Sequence, residues 1–451
     1  MDVRSHPEVT RNEAIGVING FRQMLRDRFA YTNANDFDYE SALVALSSKV
    51  EDGVSAPELG YGLHKVVAGF IDGHAWVEPY RLADGWLPVR LESLGEQVVA
   101  VMADRSEFLV PDQPYLETID GLPLSEWFEV VMQMLPVGTS AYVRRRRILQ
   151  LEHIQHWRTV LGLPVTDTVT LGVSGAQGYS EVQLEVLDAP LPESRWPARG
   201  SGMLTGGIGY LRLRKMNDEA VREVRTWMPE LVSSRGLVID VRDNTGGMRT
   251  PLIELWSWLA GDDDVTIGSV GAYRKWEGFG ADHLSRRYMY QEGDPGLSTA
   301  QQDAIVSFRR GFAPERDLHS EGFSDWHYLV LPQPQVAGRS NGRYRGPIIV
   351  LVNERCFSAV DIFLGALKQL PNVRLLGRPS SGGSAFGVRH ELGDGALATR
   401  LGSMISFTPE GRLYDTRGFM PDVPYDPSPE EFLVGGTDGT LDAALRILSN
   451  A

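Results

Sequence analysis

The chain has 451 residues, 42% hydrophobic and 23% charged, a profile of a globular protein too long for one simple core, so two or three domains are expected. A net charge of −15 speaks against wrapping nucleic acid, and the single cysteine, Cys356, rules out an intrachain disulfide and a thiolate zinc site. No stretch approaches the roughly 18 apolar residues of a membrane helix, and the first residues lack a signal-peptide core. The expectation is therefore a cytoplasmic protein without membrane insertion, or an exported one whose signal has been removed.

Residues 12–70 carry apolar side chains at helical spacing: Ile15, Ile18, Phe21 and Leu25, then Leu43 and Leu46, then Leu63, Val66, Val67 and Phe70. This reads as an N-terminal helical domain, 1–83, closing at the turn Asp72-Gly73-His74. Residues 84–190 change to strand and turn texture. Within them Tyr115–Leu124 and the amphipathic segment that follows resemble the carboxylate-loop region of a PDZ-like domain. The basic run Arg144–Arg147 reads as a solvated helix face, and His153 and His156 as surface residues with no zinc motif around them.

Residues 191–206 have the composition of a linker, and 207–451 alternate strands with helices: a strand at Gly207–Leu213, a helix over Asn217–Leu231, a strand at Gly236–Arg242 and a helix after Thr250. A strand at Pro347–Asn353 and a helix from Ser358 follow, with an insertion, 262–345, between the two key strands. Such alternation predicts a multidomain α/β protein with a mixed sheet covered by helices.

Two strand-to-turn-to-helix junctions carry the chemistry. In GLVIDVRDNTGGM, Gly246 and Gly247 follow the strand. In PIIVLVNERCFSAVDIF, Ser358 sits where the strand gives way to the helix. A side chain there is exposed, and the N–H of Ala359 at the helix start can hold a developing negative charge. The competing reading is a capping box, Ser358 with Asp361, in which the serine only caps a helix. Cys356, on the strand side of the turn, is expected to be buried.

These runs, with the following GRPSSGG, resemble peptidase family S41, whose pattern of Asp-x-Arg-x-Asn-x-Gly-Gly and Asn-Glu-x-x-x-Ser-Ala-x-Glu is met by Asp240, Arg242, Asn244, Gly246, Gly247, Asn353, Glu354, Ser358 and Ala359, with Asp361 replacing the glutamate. The resemblance implies a ClpP/crotonase-like core and Ser358 as nucleophile. The tail-specific branch of the family uses a lysine base, but the matching position here is Gly383. Lys368 lies ten positions along the Ser358 helix, about 15 Å away by helical rise.

The lysine-free, tricorn-like branch resembles this chain in two further places. Carried over residue by residue, His74 becomes the base and Asp415, before Gly418-Phe419-Met420-Pro421-Asp422, the carboxylate that orients it. His390 is a second candidate base, and Asp422 and Asp361 are read as structural.

The resemblance thus implies a serine peptidase working through an acyl-enzyme on a peptide or unfolded protein, with an oxyanion hole from Ala359 and Gly246 or Gly247. It implies no cofactor and no metal, and it admits a homo-oligomer. It also requires the helical domain to pack onto the α/β domain. A non-catalytic carrier of hydrophobic ligands or peptides on the same scaffold, and an esterase or peptide cyclase using the same triad, are the alternatives.

Overall fold

The computed structural model describes residues 8–194, 196–261, 264–279, 284, 287–318, 322–333, 342–415 and 417–450. They fall into two compact units, and the division at Trp196/Pro197 lies inside the expected linker. The first unit holds both the helical and the β-rich segments. It also takes residues 386–403 and 427–437, which the sequence pattern had placed in the C-terminal core. The reason is strand pairing: Leu397–Gly402 lies antiparallel both to Gly387–Leu392 and to Trp76–Glu78, the strand just after the His74 turn.

Within the first unit the helices Arg11–Arg28 and Ala56–Ala68 both begin with complete capping boxes, Thr10 with Glu13 and Ser55 with Glu58. Ala14, Ile18, Phe21 and Leu25 form the buried stripe of one, and Leu59, Leu63, Val66 and Val67 that of the other. A six-stranded antiparallel sheet follows, in the order Arg90–Leu94, Gln97–Val101, Tyr115–Ile119, Thr168–Gly175, Gly178–Glu185, with the short strand Leu122–Pro123 paired to Tyr115–Ile119 off that path. The helices Leu124–Met132, Ser140–Leu151 and Ile154–Leu161 close its core around Trp127 and Trp157. Asp120, at φ 50° in the turn after the third strand, is held by Arg158 at 2.8 Å.

Two surface expectations are corrected here. Arg145 of the basic run is buried, and Arg147 lies over the Phe128 ring while pairing with Glu96 at 3.0 Å. That face of the helix packs on the sheet rather than on solvent. His156 is wholly buried among the rings of Tyr61, Tyr80 and Trp157, and its Nδ1 accepts the Leu82 N–H at 3.2 Å. His153, half-buried, precedes the same helix.

Burial pushes the imidazoles of His156 and His64 down to about 4, with Arg81 adding to the effect on His156, and burial likewise takes His390 to about 4. An unfolded histidine takes its proton near 6.5, so below that pH the unfolded chain binds more protons and stability falls as the solution is acidified toward 4. His64 and His156 should each cost up to about 3 kcal/mol across that window. In the second unit burial raises Asp361, which acts in the opposite direction but as one group against several. The urea midpoint should therefore drop between pH 7.5 and pH 5, and a flat midpoint would refute this account.

The second unit is built on a six-stranded mixed sheet in the order Gly202–Leu204, Ile208–Arg212, Gly236–Asp240, Ile348–Val352, Val373–Gly377, Val423–Pro424. All pairs are parallel except the first. The three strands from Ile208 to Val352 are buried at every residue, as expected for strands covered on both faces. The helix Gly439–Ser449 packs its Leu441, Ala444 and Leu448 onto one face.

The described part of the 262–345 insertion is structured. It supplies the strands Thr266–Tyr273, Met289–Tyr290 and His327–Leu331 and the helix Thr299–Gly311. With Met404–Phe407 these strands make a four-stranded sheet against which the helix Ala359–Leu367 lies. Among the described residues no helix is long and apolar enough to cross a membrane.

Candidate active site

The glycine loop of the second unit is held from below by a buried ion network. Asp240, at the end of its strand, accepts hydrogen bonds from Tyr210 Oη at 2.7 Å, Arg212 Nη1 at 3.1 Å and Arg242 Nη2 at 2.7 Å. Arg242 also reaches both carboxylate oxygens of Asp438 at 2.8 Å. Burial alone would raise the Asp240 carboxyl, but Arg212 and Arg242 outweigh it and hold the group well below the usual carboxylate range. Removing one partner strands a buried charge, so Arg242→Met is expected to destabilise the protein by about 3–5 kcal/mol in urea unfolding.

Above this network Asn244 shapes the loop. Its Nδ2 donates to Leu213 O at 2.8 Å and its Oδ1 accepts the Gly246 N–H at 2.9 Å. Gly246 and Gly247 take φ of 93° and 136°, a region closed to side chains. Met216 clips the loop from the side, its N–H on Gly246 O at 3.1 Å and its O accepting the Met248 N–H at 2.6 Å.

The second junction interlocks with the first. Asn353 accepts the Asp243 N–H at 3.0 Å and donates to the Asp243 carboxylate at 2.8 Å. The Cys356 thiol donates to Val241 O at 3.1 Å, and the Phe357 N–H to Asn244 O at 3.3 Å. Cys356 is fully buried, which pushes its thiol well up and makes it a packing residue. Glu354 pairs with Arg378 at 3.1 Å.

On this frame Ser358 stands at φ 65°, ψ −118°, the first central position of a type II′ turn, which glycine ordinarily occupies. Its side chain makes no cap hydrogen bond to the helix Ala359–Leu367, so the capping-box reading is corrected. Asp361 is wholly buried and instead accepts Ser380 Oγ at 2.6 Å. Burial, with the Asp415 carboxylate adding to it, raises Asp361 well above the carboxylate range.

Gly246 sits directly against this turn. A Cβ there would meet Phe357 O at 2.6 Å, Ser358 Cβ at 2.7 Å and Ala359 N at 2.9 Å. The structure thus brings Ser358, Ala359, Gly246 and Gly247 together. One sequence expectation is refined: the Gly246 N–H already serves Asn244, whereas the N–H groups of Gly247 and Ala359 make no hydrogen bond among the described residues.

Asp415, also in the second unit, is buried and its Oδ1 accepts the Ser384 N–H at 3.1 Å. Gly383, where the lysine-dyad pattern has its lysine, has a forbidding neighbour: a side chain there would run into the Phe357 ring. Lys368 points elsewhere, onto Asp422 at 2.6 Å, and Asp422 also accepts the Leu375 N–H at 2.8 Å, a structural role.

His74 belongs to the first unit and is half-buried in the turn after the helix Ala56–Ala68. Its backbone N–H donates to Asp72 Oδ1 at 2.8 Å, and its Nδ1 lies 3.6 Å from the same oxygen. Asp72 is a residue the motif reading passed over. The signal was present locally, because aspartate before glycine readily bonds the backbone two residues on. His390 lies on the strand Gly387–Leu392 beside Arg28 at 3.4 Å.

Residues 207–425, which contain both junctions and Asp415, match peptidase family S41. That segment belongs to peptidase family S41. This S41 member is accordingly a serine-type peptidase. It is similar in fold to mature CPAF, with a TM-score of 0.70 at 16% identity over 98% of this chain and 98% of that one. The same protein complexed with lactacystin matches at a TM-score of 0.70 and 16% identity, covering 98% of this chain and 99% of that chain. At such identity the likeness is one of fold, and it runs through both units of the S41 peptidase rather than the matched segment alone.

Proposed function

We propose that this S41 peptidase cleaves peptide bonds through an acyl-enzyme on Ser358, with His74 as general base and Asp415 as the carboxylate of the triad. The observation that carries the reading is the backbone of Ser358. A serine held at φ 65° without capping its helix is strained, as expected of a nucleophile carried on a sharp strand-to-helix turn. The N–H groups of Ala359 and Gly247 take the oxyanion. The packing of Gly246 against Ser358 supports this, since only a residue without a Cβ allows the two loops to approach.

In this reading His74 Nε2 removes the proton from Ser358 Oγ as the oxygen attacks the peptide carbonyl. The tetrahedral oxyanion collapses, the C–N bond breaks, and His74 gives its proton to the departing amine. Water then attacks the acyl-enzyme with the same base, releasing the carboxylic acid and restoring Ser358. The lysine-free assignment is supported by the ring of Phe357 beside Gly383 and by the engagement of Lys368 with Asp422.

The test is labelling by a fluorophosphonate at pH 7–8, read by intact mass. A single adduct on the wild type is expected, lost in Ser358→Ala and strongly slowed in His74→Ala. A folded wild type that takes no label would favour the carrier reading.

A further inference from the structure

Asp72 stands two residues before His74 and is wholly buried. Both of its carboxylate oxygens are committed to the backbone of the first unit. Oδ1 accepts the His74 N–H at 2.8 Å, and Oδ2 accepts the Gly402 N–H at 2.9 Å. Ala75 N–H closes the turn on Asp72 O at 3.2 Å. These bonds alone would make Asp72 a structural clamp that ties the turn to the end of the strand Leu397–Gly402. One further contact goes beyond that, because Oδ1 also lies 3.6 Å from Nδ1 of the His74 ring.

An ionised carboxylate can only accept, so a ring nitrogen facing it is favoured as the N–H and disfavoured as a lone pair. The carboxylate cannot turn away to suit the ring, since each oxygen already receives a backbone N–H. The imidazole must adapt to it. We propose that Asp72 is the positioning residue of His74. It holds the neutral ring as the Nδ1–H tautomer, leaves the Nε2 lone pair for the Ser358 proton, and balances the imidazolium that forms. This rests on the assignment of His74 as the base. It adds to the triad an orienting carboxylate in the histidine's own turn.

The experiment is a long-range proton–nitrogen correlation on protein labelled with ¹⁵N-histidine at pH 8, with His74→Ala identifying the His74 signal. The wild type is expected to show the Nδ1–H tautomer. In Asp72→Asn the signal should shift toward Nε2–H, and fluorophosphonate labelling of Ser358 should slow by roughly 10²-fold or more.

An Nε2–H tautomer in the wild type overturns the proposal, as does a tautomer unmoved by Asp72→Asn. If Asp72→Asn does not fold, Asp72→Ser replaces it, because its hydroxyl still accepts one backbone N–H. The two readings separate cleanly. Normal labelling of wild type and Asp72→Asn alike rejects the role of Asp72 while leaving Ser358 and His74 in place. A wild type without label rejects the base assignment itself.

Discussion

Ser358→Gly is expected to produce a protein that is more stable than the wild type and catalytically dead. The stabilising part follows from the backbone alone. At φ 65°, ψ −118° a Cβ crowds the chain, and a residue forced into a sparsely populated region costs about 1–3 kcal/mol. Glycine removes that cost, and no cap hydrogen bond is lost, because the Ser358 side chain makes none to its helix. Part of the gain is offset by the greater freedom of glycine in the unfolded chain, which is worth up to about 1 kcal/mol.

The catalytic part follows from the missing hydroxyl. Removing the nucleophile of a serine-type site typically lowers turnover by about 10⁶-fold. Urea unfolding and peptide hydrolysis on the same preparation check both halves. Ser358→Ala separates them, since it should be equally inactive without the stability gain. A Ser358→Gly protein that is less stable than Ser358→Ala would refute the strain argument.

Gly246→Ala should damage both the stability and the activity of the second unit. The added Cβ would stand 2.6 Å from Phe357 O, 2.7 Å from Ser358 Cβ and 2.9 Å from Ala359 N, and two of those three neighbours are backbone that cannot swing aside. The φ of 93° adds strain that an alanine cannot avoid. The loops can only separate, and separation moves the Gly247 N–H away from the Ala359 N–H. Loss of one oxyanion donor typically costs about 10²–10³ in rate. A fall of at least that size in hydrolysis is expected, together with a lower urea midpoint. Gly311→Ala is the control, because nothing lies within 4 Å of its Cβ position and its backbone is outside the left-handed region. Near-wild-type hydrolysis by Gly246→Ala would show that the loop glycine is not part of the oxyanion site.

Some of this was legible in the chain before any coordinates. The two junctions are contiguous, and a β-branched run ending in a polar turn before an apolar helix reports its own geometry, so Ser358, Ala359 and the glycine pair could be placed from residues a few positions apart. The buried parallel strands at Gly236–Asp240 and Ile348–Val352 were equally plain, because strands covered on both faces leave an unbroken apolar run. The Asp-Gly-His turn carried its Asx signal within three residues.

Tertiary structure alone decided the rest. Whether Ser358 caps its helix depends on one backbone dihedral, which the capping-box pattern does not encode. The Gly246 N–H is spoken for because Asn244 turns inward toward Leu213, a contact across 31 residues. His156 is buried rather than exposed because rings from Tyr61 and Tyr80 close around it, and periodicity along one helix cannot show what other elements bring to its face. Residues 386–403 join the first unit because a strand ladder to Trp76–Glu78 claims them. Asp72 is pinned on its second oxygen by Gly402, 330 residues further along. Local pattern records what a residue does to its neighbours in sequence. Partners at such separations are chosen only when the strands and helices pack, and it is those partners that set which groups in a site remain free to react.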